Sequence, residues 1–154
     1  MLGLEVSAGE PRTEVAAPGP SDGIIAVVGL AGAWIGTVSL SCDAEMACQI
    51  ASAMLGIEST EIDEDVLDAV SEIANMVVGN FKTTAEVSLG TLGLSIPTVV
   101  YGLSFSARSG GKEKWTVVPF VCKGKSLEVK VCLTPNRGLA RSGAHYAGAA
   151  MSHV

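Results

Sequence analysis

Charged and aromatic residues are scarce in this chain. Of its 154 residues, 17% are charged and 5% are aromatic, whereas 48% are hydrophobic. Disordered chains show the opposite balance, with little apolar surface to bury and many charges. The length and composition therefore indicate one folded domain with a hydrophobic core of its own.

Positive charge is also in short supply. The chain has 10 Lys and Arg residues against 16 Asp and Glu residues, which gives a net charge of -6. Nucleic-acid-binding proteins normally carry a basic patch, so this balance argues against that class. The most apolar stretch, residues 24–35, contains two glycines and is too short to cross a membrane. Because the first residues also lack the features of a signal peptide, we expect a cytoplasmic protein without membrane association.

Cysteine and histidine give little support to a metal site or to nucleophilic catalysis. The four cysteines show no Cys-x-x-Cys spacing, and the two histidines, His145 and His153, lie near the end of the chain. In a reducing cytoplasm we expect the cysteines to be small buried apolar side chains. A P-loop is also absent from the sequence. We therefore expect no metal or cofactor of the chain's own.

The hydrophobic pattern predicts an α/β domain of the α+β type over residues 1–134. Apolar, β-rich segments bounded by turn residues are predicted to be strands, namely residues 2–6, 24–30, 34–40, 97–105, 115–121 and 127–133. The second and third of these form a predicted hairpin, and the Pro- and Gly-rich residues 9–23 are predicted to be a loop. Pro119 lacks an N–H, so its strand should lie at a sheet edge or carry a bulge. Residues 135–154 are predicted to be a disordered tail.

Two main helices are predicted to pack on this mixed, mostly antiparallel sheet. The first follows Asp43, a typical N-cap residue, and ends near Gly56. The second has an acidic segment, residues 61–65, at its start, where the helix dipole favours negative charge. Its apolar stripe is formed by Val66, Val70, Ile73, Val77 and Phe81.

The polar side of the second helix carries an unusual set of residues. At about 100° of rotation per residue, Asp68, Glu72, Asn75 and Gly79 fall in a stripe roughly 60° wide. A Glu and an Asn three residues apart are neighbours that point at solvent. Gly79 costs about 1 kcal/mol relative to Ala, but it allows another surface to approach closely. Any amphipathic helix has a polar face, so this stripe alone does not establish catalysis.

The order of these residues resembles a known signature. Asp68-x-x-x-Glu72-x-x-Asn75, followed by 21 residues and then Pro97, is similar to the motif of the CheC/CheX/FliY phosphatases of bacterial chemotaxis. Four segments are similar to CheX in particular, namely residues 35–38, 47–56, 71–80 and 97–102. The resemblance covers roughly residues 2–134.

Within that family the chain is most similar to CheX. CheC proteins carry two such sites, whereas this chain contains one Glu-x-x-Asn pair. Two features depart from the CheX pattern. The family usually begins with a helix, whereas here the strand-like residues 2–6 directly follow Met1. The Ala- and Gly-rich tail is not a family feature either.

The resemblance implies a phosphatase that acts on the phosphoaspartate of a CheY-like receiver domain. The receiver would supply the Mg²⁺ ion, so catalysis would consist mostly of positioning the attacking water. A carboxamide can accept from water and donate to phosphoryl oxygens, which makes Asn75 the candidate for this role. Glu72 would pair with a lysine of the receiver, Asp68 and Gly79 would contribute to partner binding, and Pro97 would shape the start of a strand. The resemblance also implies a homodimer joined through sheet edges.

Two other functions remain open from the sequence. The same helix face could belong to a catalytically silent module that only binds a receiver domain. The motif could also occur by chance in an unrelated interaction domain. Accelerated loss of phosphate from a receiver separates the phosphatase from both alternatives, and binding without acceleration separates the two alternatives from each other.

Overall fold

The computed structural model of the chain describes residues 3–15, 21–105 and 113–138. It contains two helices and an eight-stranded sheet. In chain order the elements are β1 (Val6–Ala8), β2 (Arg12–Glu14), β3 (Ser21–Gly32), β4 (Trp34–Cys42), α1 (Ala44–Leu55), α2 (Glu64–Leu89), β5 (Leu92–Leu94), β6 (Thr98–Phe105), β7 (Trp115–Cys122) and β8 (Lys125–Pro135).

The predicted hairpin is confirmed and forms the centre of the sheet. β3 and β4 pair antiparallel from Ile24 opposite Cys42 to Leu30 opposite Gly36. Gly36 is needed because a Cβ at this position would collide with the Cys132 carbonyl group on β8. Alternate apolar side chains of the hairpin face the helices and are buried in the core: Ile24, Ala26, Val28, Leu30, Val38, Leu40 and Cys42.

The strands pair in the order β1-β7-β8-β4-β3-β5, with β2 also on β7 and β6 also on β3. Each edge of the sheet therefore consists of two strands placed end to end. Every pairing among the described strands is antiparallel. The α+β fold, with a mostly antiparallel sheet and two main helices, is thus confirmed, and the described strands contain no parallel pair.

The β1/β2 edge corrects the prediction for the start of the chain. The predicted strand at residues 2–6 begins later, at Val6, and the predicted loop at residues 9–23 contains β2 and the start of β3. The sequence of β2 is polar because both of its faces are largely exposed. Its backbone ladder with β7 and the ion pairs from Arg12 to Glu14 and Glu128 hold it in place without a hydrophobic signal.

Pro119 lies where this edge is interrupted. The carbonyl of Pro119 accepts a hydrogen bond from the N–H of Gly9 at 2.8 Å. Three residues, 9–11, lie between β1 and β2 on the edge, whereas the opposite part of β7 has only two residues, 118 and 119. In an antiparallel strand the N–H and C=O of one residue point to the same side. The missing N–H therefore faces a bulge, which agrees with the predicted alternatives of an edge or a bulge.

β5 was not among the strands predicted from the sequence. Leu92 of β5 is only 1% exposed and completes the core around Val28 and Val78. Its N–H donates to the Glu86 carboxylate at 2.8 Å. That hydrogen bond and the Lys82 ammonium group hold the pKa of Glu86 below its ordinary value. The end of α2 is thereby tied to the sheet.

Both helices begin at the predicted positions. The Asp43 side chain accepts from the Met46 N–H at 2.7 Å, and the Asp63 side chain accepts from the Val66 N–H at 2.9 Å. Gly56 ends α1 in the left-handed region, with φ of 70°. No helix in the described ranges is long and apolar enough to span a membrane.

All four cysteines are free and buried, which confirms their prediction as small buried side chains. Burial raises the pKa of the Cys42 thiol to about 12, with a smaller contribution from the neighbouring Asp43 carboxylate. A thiol with so high a pKa is almost entirely protonated at neutral pH and is a weak nucleophile.

Part of the predicted tail is structured. Pro135 ends β8, and the Asn136 side chain donates to the Gly32 carbonyl at 2.9 Å. Residues 139–154, which include His145 and His153, lie outside the described residues.

Candidate functional site

The orientation of α2 is set by its buried side. The residues that lie against the sheet and α1 are Val66, Ala69, Val70, Ile73, Ala74 and Val78. Val77 and Phe81, which the sequence placed in the same stripe, are only partly buried. Because the buried positions recur at helical spacing, they leave one face of this 26-residue helix in solvent.

The exposed face carries the residues that the sequence predicted to lie there. Asp68, Glu72 and Asn75 are all exposed, and Gly79 is partly exposed. A Cβ added to Gly79 would have no atom within 4 Å, so the space above it is open. The structure thus brings the four positions together on one accessible helix face. Pro97 is not on this helix and immediately precedes β6 in the chain.

The side chains of this face are not committed to contacts within the domain. In the described part of the chain, the side chains of Asp68, Glu72 and Asn75 make no hydrogen bond and no ion pair. Further along α2 the side chains are paired: Lys82 lies 3.0 Å from Glu86. A free carboxylate can accept hydrogen bonds, and a free carboxamide can both donate and accept. The face is therefore available to a partner molecule.

The electrostatic character of the face is negative. Asp68 and Glu72 are one helical turn apart, and like charges at this spacing cost about 0.2–0.5 kcal/mol. Within the described ranges neither carboxylate has a cationic partner. The face consequently favours a positively charged group on whatever binds there.

A groove lies beside the exposed face, between the end of α1 and the start of α2. Its volume is about 490 Å³, and its lining residues are Met54, Leu55, Asp65, Asp68, Ala69, Ser71 and Glu72. The sequence did not reveal Met54 and Leu55 as site residues, since they lie on the other helix. A larger groove of about 1100 Å³ on α1 and the α1–α2 connection holds none of the motif residues.

The described residues contain no group of three or more His, Cys, Asp or Glu side chains that could hold a metal ion. The carboxylates of the exposed face are arranged along a helix rather than around a common point. The chemistry that this face offers is therefore hydrogen bonding and charge pairing with a docked surface.

The chain is similar in sequence and fold to known proteins. A family model described as chemotaxis phosphatase CheX matches residues 24–121. The CheY-P phosphatase CheX of Thermotoga maritima is 31% identical over 112 residues, which are 72% of this chain and 72% of that protein. The crystal structure of the chemotaxis protein CheX from Desulfovibrio desulfuricans has a TM-score of 0.76 at 27% identity, covering 87% of this chain and 89% of that one.

A complex is among the similar structures. The CheX–CheY–BeF₃–Mg²⁺ complex from Borrelia burgdorferi matches with a TM-score of 0.74 at 27% identity. The match covers 86% of this chain and 87% of the chain in that complex.

Substitution of Gly79 tests whether the exposed face of α2 is optimised for helix stability or left open for contact with another molecule. We expect Gly79→Ala to raise the free energy of unfolding by about 0.8–1 kcal/mol, because a helix-interior Gly is less favourable than Ala and the space is open. Urea unfolding measures this change. Gly36→Ala is the matched control and should destabilise the protein, because its Cβ meets the Cys132 carbonyl. A loss of stability in Gly79→Ala would contradict an open helix face.

Proposed function

Given that this chain belongs to the chemotaxis phosphatase CheX family, we propose that it hydrolyses the phosphoaspartate of a CheY-like receiver domain. A water oxygen bonds to phosphorus while the bond from phosphorus to the aspartate oxygen breaks. The products are inorganic phosphate and the free carboxylate of the receiver. The observation that carries this proposal is the uncommitted Glu72 and Asn75 pair on a solvent-facing helix whose opposite side is fixed in the core.

Asn75 is the proposed catalytic residue. Phosphoryl transfer needs little covalent chemistry from a protein, so placing water in line with phosphorus is the main contribution that remains. The Asn75 carboxamide is exposed and can accept from water while it donates towards a phosphoryl oxygen. It is also neutral, so it does not repel the phosphoryl group. The proposal assigns the Mg²⁺ ion to the receiver, and it assigns no cofactor to this chain.

Glu72 has a different proposed role. A carboxylate next to the phosphoryl group would be repelled by it, whereas a carboxylate beside a lysine of the receiver would fix the docking position. Its neighbour Asp68 adds negative charge on the same side of the helix, and Gly79 lets the receiver backbone approach. These three residues therefore contribute to partner binding around Asn75.

We also propose that the protein forms a homodimer through the β6 edge of the sheet. β6 pairs with β3 on one side, and no described strand covers its other side. Large apolar side chains are exposed along this edge, with Ile96 at 86%, Tyr101 at 48% and Val100 at 44%. A long apolar edge strand readily pairs with a second copy.

The dimer is tested by light scattering at micromolar concentration. We expect the wild-type protein to have twice the mass of the chain and Val100→Lys to shift it towards the monomer, because a charge on an edge strand opposes pairing. Thr13→Lys on β2, at the opposite edge, is the control and should leave the mass unchanged. A monomeric wild type would contradict the proposal.

Substitution of Asn75 distinguishes a phosphatase from a module that only binds the receiver. Asn75→Ala should lower the maximal rate of phosphate loss from a saturating receiver by about 10²-fold, as is typical when one positioned group is removed. Binding to a beryllofluoride-loaded receiver should remain. Asn75→Asp should be as damaging, since its charge would face the phosphoryl group.

Asn80→Ala is the matched control for this experiment, because Asn80 is an exposed Asn on the same helix but away from the stripe. It should keep the wild-type rate. If Asn75→Ala keeps more than about a third of the wild-type rate, its activity is far above the residual rate expected after the loss of a positioned group. That result would remove Asn75 from the mechanism and favour the binding module.

Glu72 should act on affinity rather than on rate. Glu72→Ala should weaken binding of the receiver and Glu72→Lys should weaken it further, while salt should weaken the wild-type interaction through screening. Glu10→Lys makes the same change in net charge on the far edge of the sheet and serves as the control. An unchanged affinity in both Glu72 variants would exclude the docking role.

A further inference from the structure

The groove between α1 and α2 has two chemically different walls. Met54 and Leu55 from the last turn of α1 form an apolar wall, and Asp65, Asp68 and Glu72 from the first half of α2 form an acidic wall. Leu55 is 46% exposed although it is a large apolar side chain. Met54 is partly buried and also packs against the core, whereas Leu55 is not part of a core cluster of the described residues and presents its apolar side chain opposite the carboxylates.

The chain leaves this groove open. None of the residues 56–63, which connect the two helices, lines it. Instead the connection is held on another side of α1, where the Ser59 N–H donates to the Ser52 hydroxyl oxygen at 2.9 Å. The same connection lines the larger groove, which is separate from the motif. The apolar wall is thus accessible to a docked molecule.

The carboxylates of the acidic wall are also unpaired. Within the described residues, Asp65, Asp68 and Glu72 form no ion pair and accept no hydrogen bond. Lysine and arginine side chains combine a long apolar stem with a charged head, and they bury the stem while the head meets an anion. A groove that is apolar on one side and acidic on the other matches that division.

We propose that this groove is a second docking subsite, which takes a lysine- or arginine-bearing segment of the receiver domain. The inference rests on the proposed function for the identity of the partner. It is supported by charge complementarity and by continuity with the exposed face, because Asp68 and Glu72 belong to both. Leu55, Met54 and Asp65 are then positioning residues that determine which receivers bind.

The subsite has a kinetic signature that differs from that of Asn75. Its residues lie beside the exposed face and do not contact the reacting atoms in this proposal. Substitution should therefore raise KM and leave kcat within about twofold, since only interactions made specifically in the transition state change kcat.

The experiment measures phosphate release from a CheY receiver domain that is phosphorylated with acetyl phosphate and Mg²⁺. Leu55→Glu and Asp65→Asn should each raise KM by about tenfold, which corresponds to about 1.4 kcal/mol. Leu55→Ala is the milder variant and should raise KM in the same direction. Urea unfolding of each variant separates docking from folding.

Two control variants match these substitutions. Val121 is also 46% exposed but lies on β7, and it alternates with Cys122, which points into the core, so it faces away from the helices. Val121→Glu should leave KM unchanged. Glu64→Gln removes a charge from the same first turn of α2 outside the groove and should also leave KM unchanged.

A charge-reversal pair identifies the segment of the receiver. Asp65→Lys should bind the receiver weakly, and one Lys→Glu or Arg→Glu substitution in the receiver should restore binding. An unchanged KM in Leu55→Glu and Asp65→Asn would overturn the proposal. So would an equal rise in KM in Val121→Glu, or a loss of kcat at unchanged KM.

Failure of the proposed phosphatase function can be distinguished from failure of the groove proposal. If the wild-type protein does not accelerate phosphate loss, the phosphatase proposal fails. The groove is then still tested by titrating wild type and Leu55→Glu with a beryllofluoride-loaded CheY receiver. Equal affinities in that titration overturn the groove proposal, and a weaker Leu55→Glu supports it.

Discussion

The contact between the buried side of α2 and the central hairpin determines where the candidate site points. Val66 and Val70 are fully buried, and each apolar side chain of this size contributes about 1.5–3 kcal/mol when it leaves water. A rotation of the helix by one residue would turn its faces by about 100° and move Glu72 towards the core. Since an unpaired carboxylate is very unfavourable in an apolar interior, the direction of the exposed face is fixed.

The exposed face of α2 contributes little to folding, and several of its residues oppose helix formation. Asn75 and Gly79 are poor helix-interior residues, and Asp68 repels Glu72. The packing on the opposite side and the Asp63 cap offset these effects. The residues that stabilise the fold and those proposed to bind a partner thus lie on opposite sides of one helix, so the exposed residues can change without disturbing the core.

The parts of the fold that follow a local pattern could be predicted from the sequence. The hairpin, both helices and the position of Glu72 and Asn75 on one face all follow from the spacing of apolar residues. β2 and β5 could not be predicted, because a polar edge strand and a three-residue strand are held by backbone ladders rather than by alternation. The groove could not be predicted either, since Leu55 and Asp65 meet only through the packing of two helices. The proposed catalytic role of Asn75 rests on the family resemblance, because helical spacing shows only that the residue is exposed.

The sharing of Glu72 and Asp68 between the exposed face and the groove has a consequence for specificity. Discrimination between substrates depends on differences in kcat/KM, and a repulsive contact lowers this ratio for a wrong partner as effectively as a lost attraction. A phosphoryl group alone could not select among receivers, because every phosphorylated receiver presents one. An acidic and partly apolar groove distinguishes a receiver with a basic segment from one with an acidic segment at the same place, which would meet unpaired carboxylates. Because the groove adjoins the Glu72 and Asn75 pair, a mismatched receiver would bind the proposed site more weakly, which lowers kcat/KM through a higher KM.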